Sequence, residues 1–112
     1  MTSLADLKCA PGGQATALGD ADMAQHLATL AGWTLVTHAS GNELQKTFPF
    51  KNYYETLAFV NASAWISHRE DHHPDMGVHY NRCVVTYSTH DAGGVTLNDF
   101  ICAAKLDRLF DL

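Results

Sequence analysis

The side chains best suited to chemistry near neutral pH are concentrated in one segment, His68-Arg69-Glu70-Asp71-His72-His73-Pro74. Imidazole titrates at about 6.5, so a histidine can give or take a proton at working pH. The chain has seven histidines, and five of them fall between His68 and His90. Pro74 disfavours helical geometry at the residue before it, so the chain must run extended through His72 and His73. Neighbouring side chains on an extended backbone point to opposite sides. One of the two can face a pocket while the other orients it or touches another part of a ligand. Asp71 can fix a tautomer or accept from a ligand N–H. A second group, Ser88-Thr89-His90-Asp91, stands before Gly93-Gly94, where a strand end meets a loop.

Other chemistries fit these residues less well. His68 and His72 have the i, i+4 spacing of a helical metal pair, and His73 or His90 can add ligands. The zinc protease patterns, however, need Glu directly after the first His or directly before the last, where Arg69 and Asp71 stand. No metal site is expected. There is no G-x-S-x-G and no phosphate-binding loop. Cys9, Cys83 and Cys102 form no C-x-x-C pair and read as reduced thiols, the last two in buried positions. His26, His38 and His79 read as structural or surface residues, and Tyr53, Tyr54, Phe59 and Trp65 as core.

Composition narrows the class further. At 112 residues, 46% hydrophobic and 17% charged, the chain is one globular domain. Its net charge of −5 argues against direct nucleic-acid binding, which needs clustered basic charge. No apolar run approaches the roughly 20 residues that cross a bilayer. The first ten residues lack the basic start and apolar stretch of a secretory signal, so a cytoplasmic location is expected.

Three helices and four strands must position the histidines. Residues 1–18, with Pro11-Gly12-Gly13, read as an extended or mobile arm ahead of a single domain over 19–112. Met23, Leu27 and Leu30 mark a first helix, capped by Asp20 and stopped near Gly32. Trp33–Ala39 and Glu43–Phe50 read as paired strands across Ser40-Gly41-Asn42. Residues 52–70 contain no Gly or Pro, and Tyr53, Leu57, Val60 and Ala64 recur at helical spacing. Gly77–Tyr80 and the β-branched Arg82–Thr89 follow as strands. A last helix over 97–109 begins at Thr96, with Asp99 in capping-box position. The order α-β-β-α-β-β-α calls for an α+β fold, a four-stranded antiparallel sheet with three helices on one face.

The spacing of the chemical residues resembles that of the pterin-4a-carbinolamine dehydratases. His68 precedes His72-His73-Pro74 by three residues; Tyr80 follows after five, His90 after nine more and Asp99 after eight more, each as in that family's motif. Gly32-Trp33, Phe48-x-Phe50, Ser88-Thr89-His90 and Gly93-Gly94 are similar too, so the resemblance spans about residues 20–110. It implies the same four-stranded fold and the dehydration of a 4a-hydroxytetrahydropterin to a quinonoid dihydropterin. It implies no metal or organic cofactor, a homodimer or homotetramer, and a link to an aromatic amino acid hydroxylase in pterin recycling. By resemblance His72 and His90 are acid–base groups and His73 binds and orients substrate. Asp71, Ser88 and Thr89 contact substrate, and His68, Pro74 and Asp99 support the site. Two positions depart from the usual pattern: His68 stands for a common Glu, and Met76 for a common Trp. Animal members also act as transcriptional coactivators, so an interaction module on the same scaffold is the first alternative, with a histidine-ligated metalloenzyme the less favoured one.

Overall fold

The computed structural model describes residues 3–111. Helix α1 (Asp20–Leu27) leads into strands β1 (Thr34–His38) and β2 (Gly41–Pro49). Helix α2 (Tyr53–Glu70), strands β3 (Asp75–His79) and β4 (Arg82–Tyr87) and helix α3 (Leu97–Arg108) follow. All strand pairs are antiparallel and the sheet order is β1-β2-β4-β3. The α+β order expected from the sequence is therefore the observed one.

The sheet's inner face is set by period-two alternation. Leu44 and Phe48 on β2 and Cys83, Val85 and Tyr87 on β4 are buried against the helices. Trp33 joins them and fixes the far end: its Nε1–H donates to Asp107 Oδ2 at 2.9 Å, and Lys46 Nζ donates to Asp107 Oδ1 at 3.0 Å. Lys46 also lies over the Trp33 and Phe48 rings, 5.8 and 4.9 Å from their centroids. Helix α3 is the central one, buried almost continuously from Asn98 to Ala104 and again at Leu106.

Several expectations shift. Gly19, not Asp20, is the N-cap of α1, and Asp20 sits in its first turn, where its charge complements the helix dipole. On α2 the buried positions are Thr56, Phe59 and Ser63, a stripe about one residue round from the expected one. Small hydroxyl residues tolerate that close approach because their hydroxyls bond within the helix: Thr56 to the Asn52 carbonyl at 3.0 Å, Ser63 to the Val60 carbonyl at 2.6 Å. The rotation turns Tyr53, Tyr54 and Trp65 outward; Tyr54 is 82% and Trp65 70% exposed. Only Phe59 of those four aromatics is core.

Two local devices aim the histidine segments. Asn52 caps α2 by accepting from the Glu55 N–H at 3.0 Å, and Asp71 ends that helix in the left-handed region at φ 51°. The chain then leaves extended through His72-His73-Pro74 into β3. The β1–β2 turn supports the other segment. Gly41 has φ 132°, and a Cβ there would lie 2.6 Å from the Gly93 carbonyl oxygen. Only glycine lets the hairpin pack on the loop that follows His90. Gly41→Ala should therefore destabilise the fold by about 1–3 kcal/mol, whereas Gly12→Ala, where a Cβ meets nothing within 4 Å, should stay within about 0.5 kcal/mol. Urea unfolding of the two variants tests this contrast.

Candidate active site

Antiparallel pairing brings the end of β4 beside the start of β3, because Thr86 faces Asp75 in the register. The His72 and His90 segments thus meet at one end of the sheet although they are distant in sequence. Between them lies an open cavity of about 340 Å³, within the usual range of small-molecule sites. His72, His73, His90, Asp71, Ser88 and Thr89 all line it. These are the six residues expected to touch a ligand.

At the centre of the site is a buried carboxylate. Asp99 has no exposed side-chain surface, while His72 keeps 14% of its own. His72 Nε2 lies 2.6 Å from Asp99 Oδ1. Asp99 Oδ2 accepts from the Thr89 hydroxyl and from the Thr96 backbone N–H, both at 2.8 Å. The Thr96 hydroxyl is 2.9 Å from that of Thr89. Since Thr89 gives its proton to Asp99, Thr96 donates to Thr89. Both oxygens of the carboxylate are engaged, and a carboxylate only accepts, which makes His72 Nε2 the protonated nitrogen. His72 Nδ1 has no hydrogen-bond partner among the described residues and is free to exchange a proton with a ligand. The ring is also held from the side: it stacks on Tyr87 at 6.0 Å with an interplanar angle of 9°. Burial, with Cys102 and Asp99 adding to it, holds the Tyr87 phenol well above its usual range, so this platform stays uncharged.

His73 and His90 are exposed and reach the cavity from opposite segments. His90 opens a short 3-10 turn, His90–Ala92, closed by Gly93 in the left-handed region. A smaller cavity of about 110 Å³ continues past His90 towards His38 and Glu43, which pair at 2.5 Å.

Asp99 does both things its position suggested. It reaches back to the Thr96 N–H at the start of α3 and holds His72. Pro74 acts on the backbone and does not line the cavity. His68 is not brought to the site: it is exposed on α2 beside Trp65, with ring centroids 6.2 Å apart. Met76 packs on the core, its sulfur 4.0 Å from the Ser63 hydroxyl, and Tyr80 is exposed at the β3–β4 turn. Both departures from the family pattern therefore lie outside the cavity wall. Among the described residues no group of three His, Cys, Asp or Glu side chains could hold a metal ion.

Composition and spacing did not reveal one wall of the cavity. Ala10, Pro11, Gly12, Gly13 and Ala15 line it, although that stretch reads as an arm. The segment is fastened along its length. Asn98 and Ala10 exchange two hydrogen bonds, with Ala10 N–H to Asn98 Oδ1 at 2.8 Å and Asn98 Nδ2 to the Ala10 carbonyl at 3.1 Å. The Cys9 N–H donates to Glu70 Oε1 at 2.8 Å, and Lys105 Nζ to the Ala5 carbonyl at 2.8 Å. Further along, the Leu18 N–H donates to the Val95 carbonyl at 2.9 Å. The usable signal was Asn98, a buried amide that must find partners.

An antiparallel four-stranded sheet packed against three helices, in the order α-β-β-α-β-β-α, is the pterin dehydratase type of fold. Residues 16–109 match the family model described as pterin 4 alpha carbinolamine dehydratase, and the chain belongs to that family. A relative from Chromobacterium violaceum, provisionally named pterin-4-alpha-carbinolamine dehydratase, is 58% identical over 108 residues, 96% of each chain. One from Xanthomonas campestris pv. campestris with the same provisional name is 62% identical over 94 residues, 84% of this chain and 78% of the relative. Among solved structures, a transcriptional coactivator/pterin dehydratase from Brucella melitensis superposes with a TM-score of 0.76 at 32% identity. That match covers 82% of this chain and 96% of the other. A pterin dehydratase-like protein described as a RuBisCO assembly factor in the alpha-carboxysome superposes with a TM-score of 0.58 at 25% identity, over 70% of this chain and 88% of the other.

Two outcomes follow from this geometry. Asp99→Asn should cost about 1–3 kcal/mol in urea unfolding, because the amide cannot accept from every donor that surrounds it. Asn98→Ala should leave that value closer to wild type while speeding amide exchange at Ala10, which loses its acceptor. Equal protection of Ala10 in the two proteins would show that the strap is held by something else.

Proposed function

We propose that the protein is a hydro-lyase that converts a 4a-hydroxytetrahydropterin into the quinonoid dihydropterin. The observation that carries this reading is the His72–Asp99 pair opening onto a cavity that His73 and His90 also line. The C4a hydroxyl is a poor leaving group and must depart as water, so it needs a proton. The N5 proton must be lost as the C=N bond forms. Two positioned proton-transfer groups meet this need, each typically contributing about 10²–10⁴-fold. His72, through Nδ1, and His90 are the pair, and the two possible 4a stereoisomers present the hydroxyl to opposite faces. His73 binds and orients. The cavity's rim carries Asp71, Asp75 and Asp91, carboxylates suited to the N–H-rich edge of a pterin. The proposed reaction uses no metal or organic cofactor. It belongs to recycling of the tetrahydropterin used by an aromatic amino acid hydroxylase, in the cytoplasm.

A second reading, an interaction module, rests on the exposed Tyr54 and Trp65 of α2 and on the coactivator name of the Brucella neighbour. Helix α3 offers no such surface, being largely buried. We place the contacts of a homodimer or homotetramer on α2 for the same reason.

The test is stopped-flow conversion of freshly generated 4a-hydroxytetrahydropterin with a chelator present. Wild type should accelerate it, and His72→Ala/His90→Ala should lose about 10²-fold or more. His73→Ala should raise KM with a smaller effect on kcat. No acceleration by wild type would reject the hydro-lyase and leave the interaction reading.

A further inference from the structure

Cys9 and Cys102 are not used by the proposed reaction, yet their sulfurs lie 3.5 Å apart. They come from residues 93 apart in sequence, one on the strap that walls the cavity and one on α3. The approach is held in place from both sides. The Cys9 N–H is tied to Glu70, and the next residue, Ala10, makes the two bonds to Asn98. Cys9 Sγ itself lies 3.6 Å from the Asn98 carbonyl oxygen. Cys9 is half-buried, whereas Cys102 has no exposed surface. An oxidant from solvent therefore meets Cys9 first. The third thiol, Cys83, is fully buried on β4.

We propose that Cys9 and Cys102 are a reversible oxidation site, closing to a disulfide that latches the N-terminal strap onto α3. The oxidant class is a low-molecular-weight disulfide. The Cys9 thiolate attacks one sulfur of that molecule, forming a mixed disulfide and releasing one thiolate. Cys102 then gives up its proton and attacks the Cys9 sulfur, and the second small thiol leaves. The protein loses two protons and two electrons, which the small disulfide takes up to become two thiols. The hydrogen bond with Cys9, followed by burial, is what holds the Cys102 thiol above its usual range. Capping Cys9 as a mixed disulfide alters the first of these and eases the second attack. In a reducing compartment the pair stays open and the strap rests on its hydrogen bonds alone; under oxidative load the wall of the cavity becomes covalently fixed.

The probe is oxidised and reduced glutathione in varied ratio, applied to the folded protein and followed by acid quench, denaturation, alkylation and peptide mass mapping. As the ratio rises, the alkylated thiols should fall from three to one, with Cys83 the one left and a Cys9–Cys102 peptide appearing. Oxidation should also raise the thermal midpoint by several degrees, reversed by dithiothreitol, and should suppress tryptic cleavage after Lys8. Cys9→Ser should keep two alkylatable thiols throughout, whereas Cys102→Ala should form no internal link and should, as that variant alone, retain glutathione on Cys9. In the wild type, three free thiols at every ratio, a persistent glutathione adduct on Cys9, or a link that includes Cys83 would each overturn the proposal.

Discussion

A carboxylate with no exposed surface is tolerable only when fully partnered, and in this protein the partners of Asp99 define the site. One oxygen accepts from His72 and the other from the Thr89 hydroxyl and the Thr96 amide. Those donors come from three places: the segment between α2 and β3, the end of β4, and the first turn of α3. The carboxylate therefore ties together the pieces that carry His72 and His90. Leaving such a charge unpaired is costly in the protein interior, so the network either forms as a unit or the start of α3 and the cavity lose their order together. Helix capping and histidine orientation are thus one interaction viewed from two elements.

Around that point the fold supplies rigidity in layers. Tyr87 braces the His72 ring from within the core. Asn52 and Asp71 set where α2 begins and ends, and hence where the extended His72-His73-Pro74 run starts. Gly41 allows the β1–β2 hairpin to support the loop after His90, and Asn42 continues that support by accepting from the Val95 N–H at 2.9 Å. The strap closes the last side with small residues and backbone. It leaves room for a flat ring and borrows its position from Asn98, the neighbour of Asp99.

Much of this was legible in the sequence because the signals are local. Period-two alternation marks β2 and β4, Pro74 forces the extended exit, and Thr96-x-x-Asp99 marks the head of α3. The six cavity residues singled out in the sequence come from two short segments that antiparallel pairing brings together. What was not legible depends on tertiary contact. The face of α2 that turns inward is decided by how closely Thr56 and Ser63 can approach the sheet, a choice hydrophobicity alone gets wrong. Hence Tyr54 and Trp65 read as core and stand in solvent. His68 fits the family spacing yet points away, because a helical residue four positions before His72 no longer shares its face once Asp71 turns left-handed. The strap carries no periodicity, and its role appears only when Asn98, Glu70 and Lys105 are seen to hold it.

Asp99 fixes His72 with the proton on Nε2, which leaves Nδ1 without a hydrogen-bond partner among the described residues. Long-range ¹H–¹⁵N correlation spectra of the imidazoles, recorded where His72 is neutral, test it directly. His72 should show a protonated, pyrrole-type Nε2 and a bare, pyridine-type Nδ1, and Asp99→Asn should abolish that preference. A His72 ring protonated on Nδ1 in the wild-type protein would contradict this assignment.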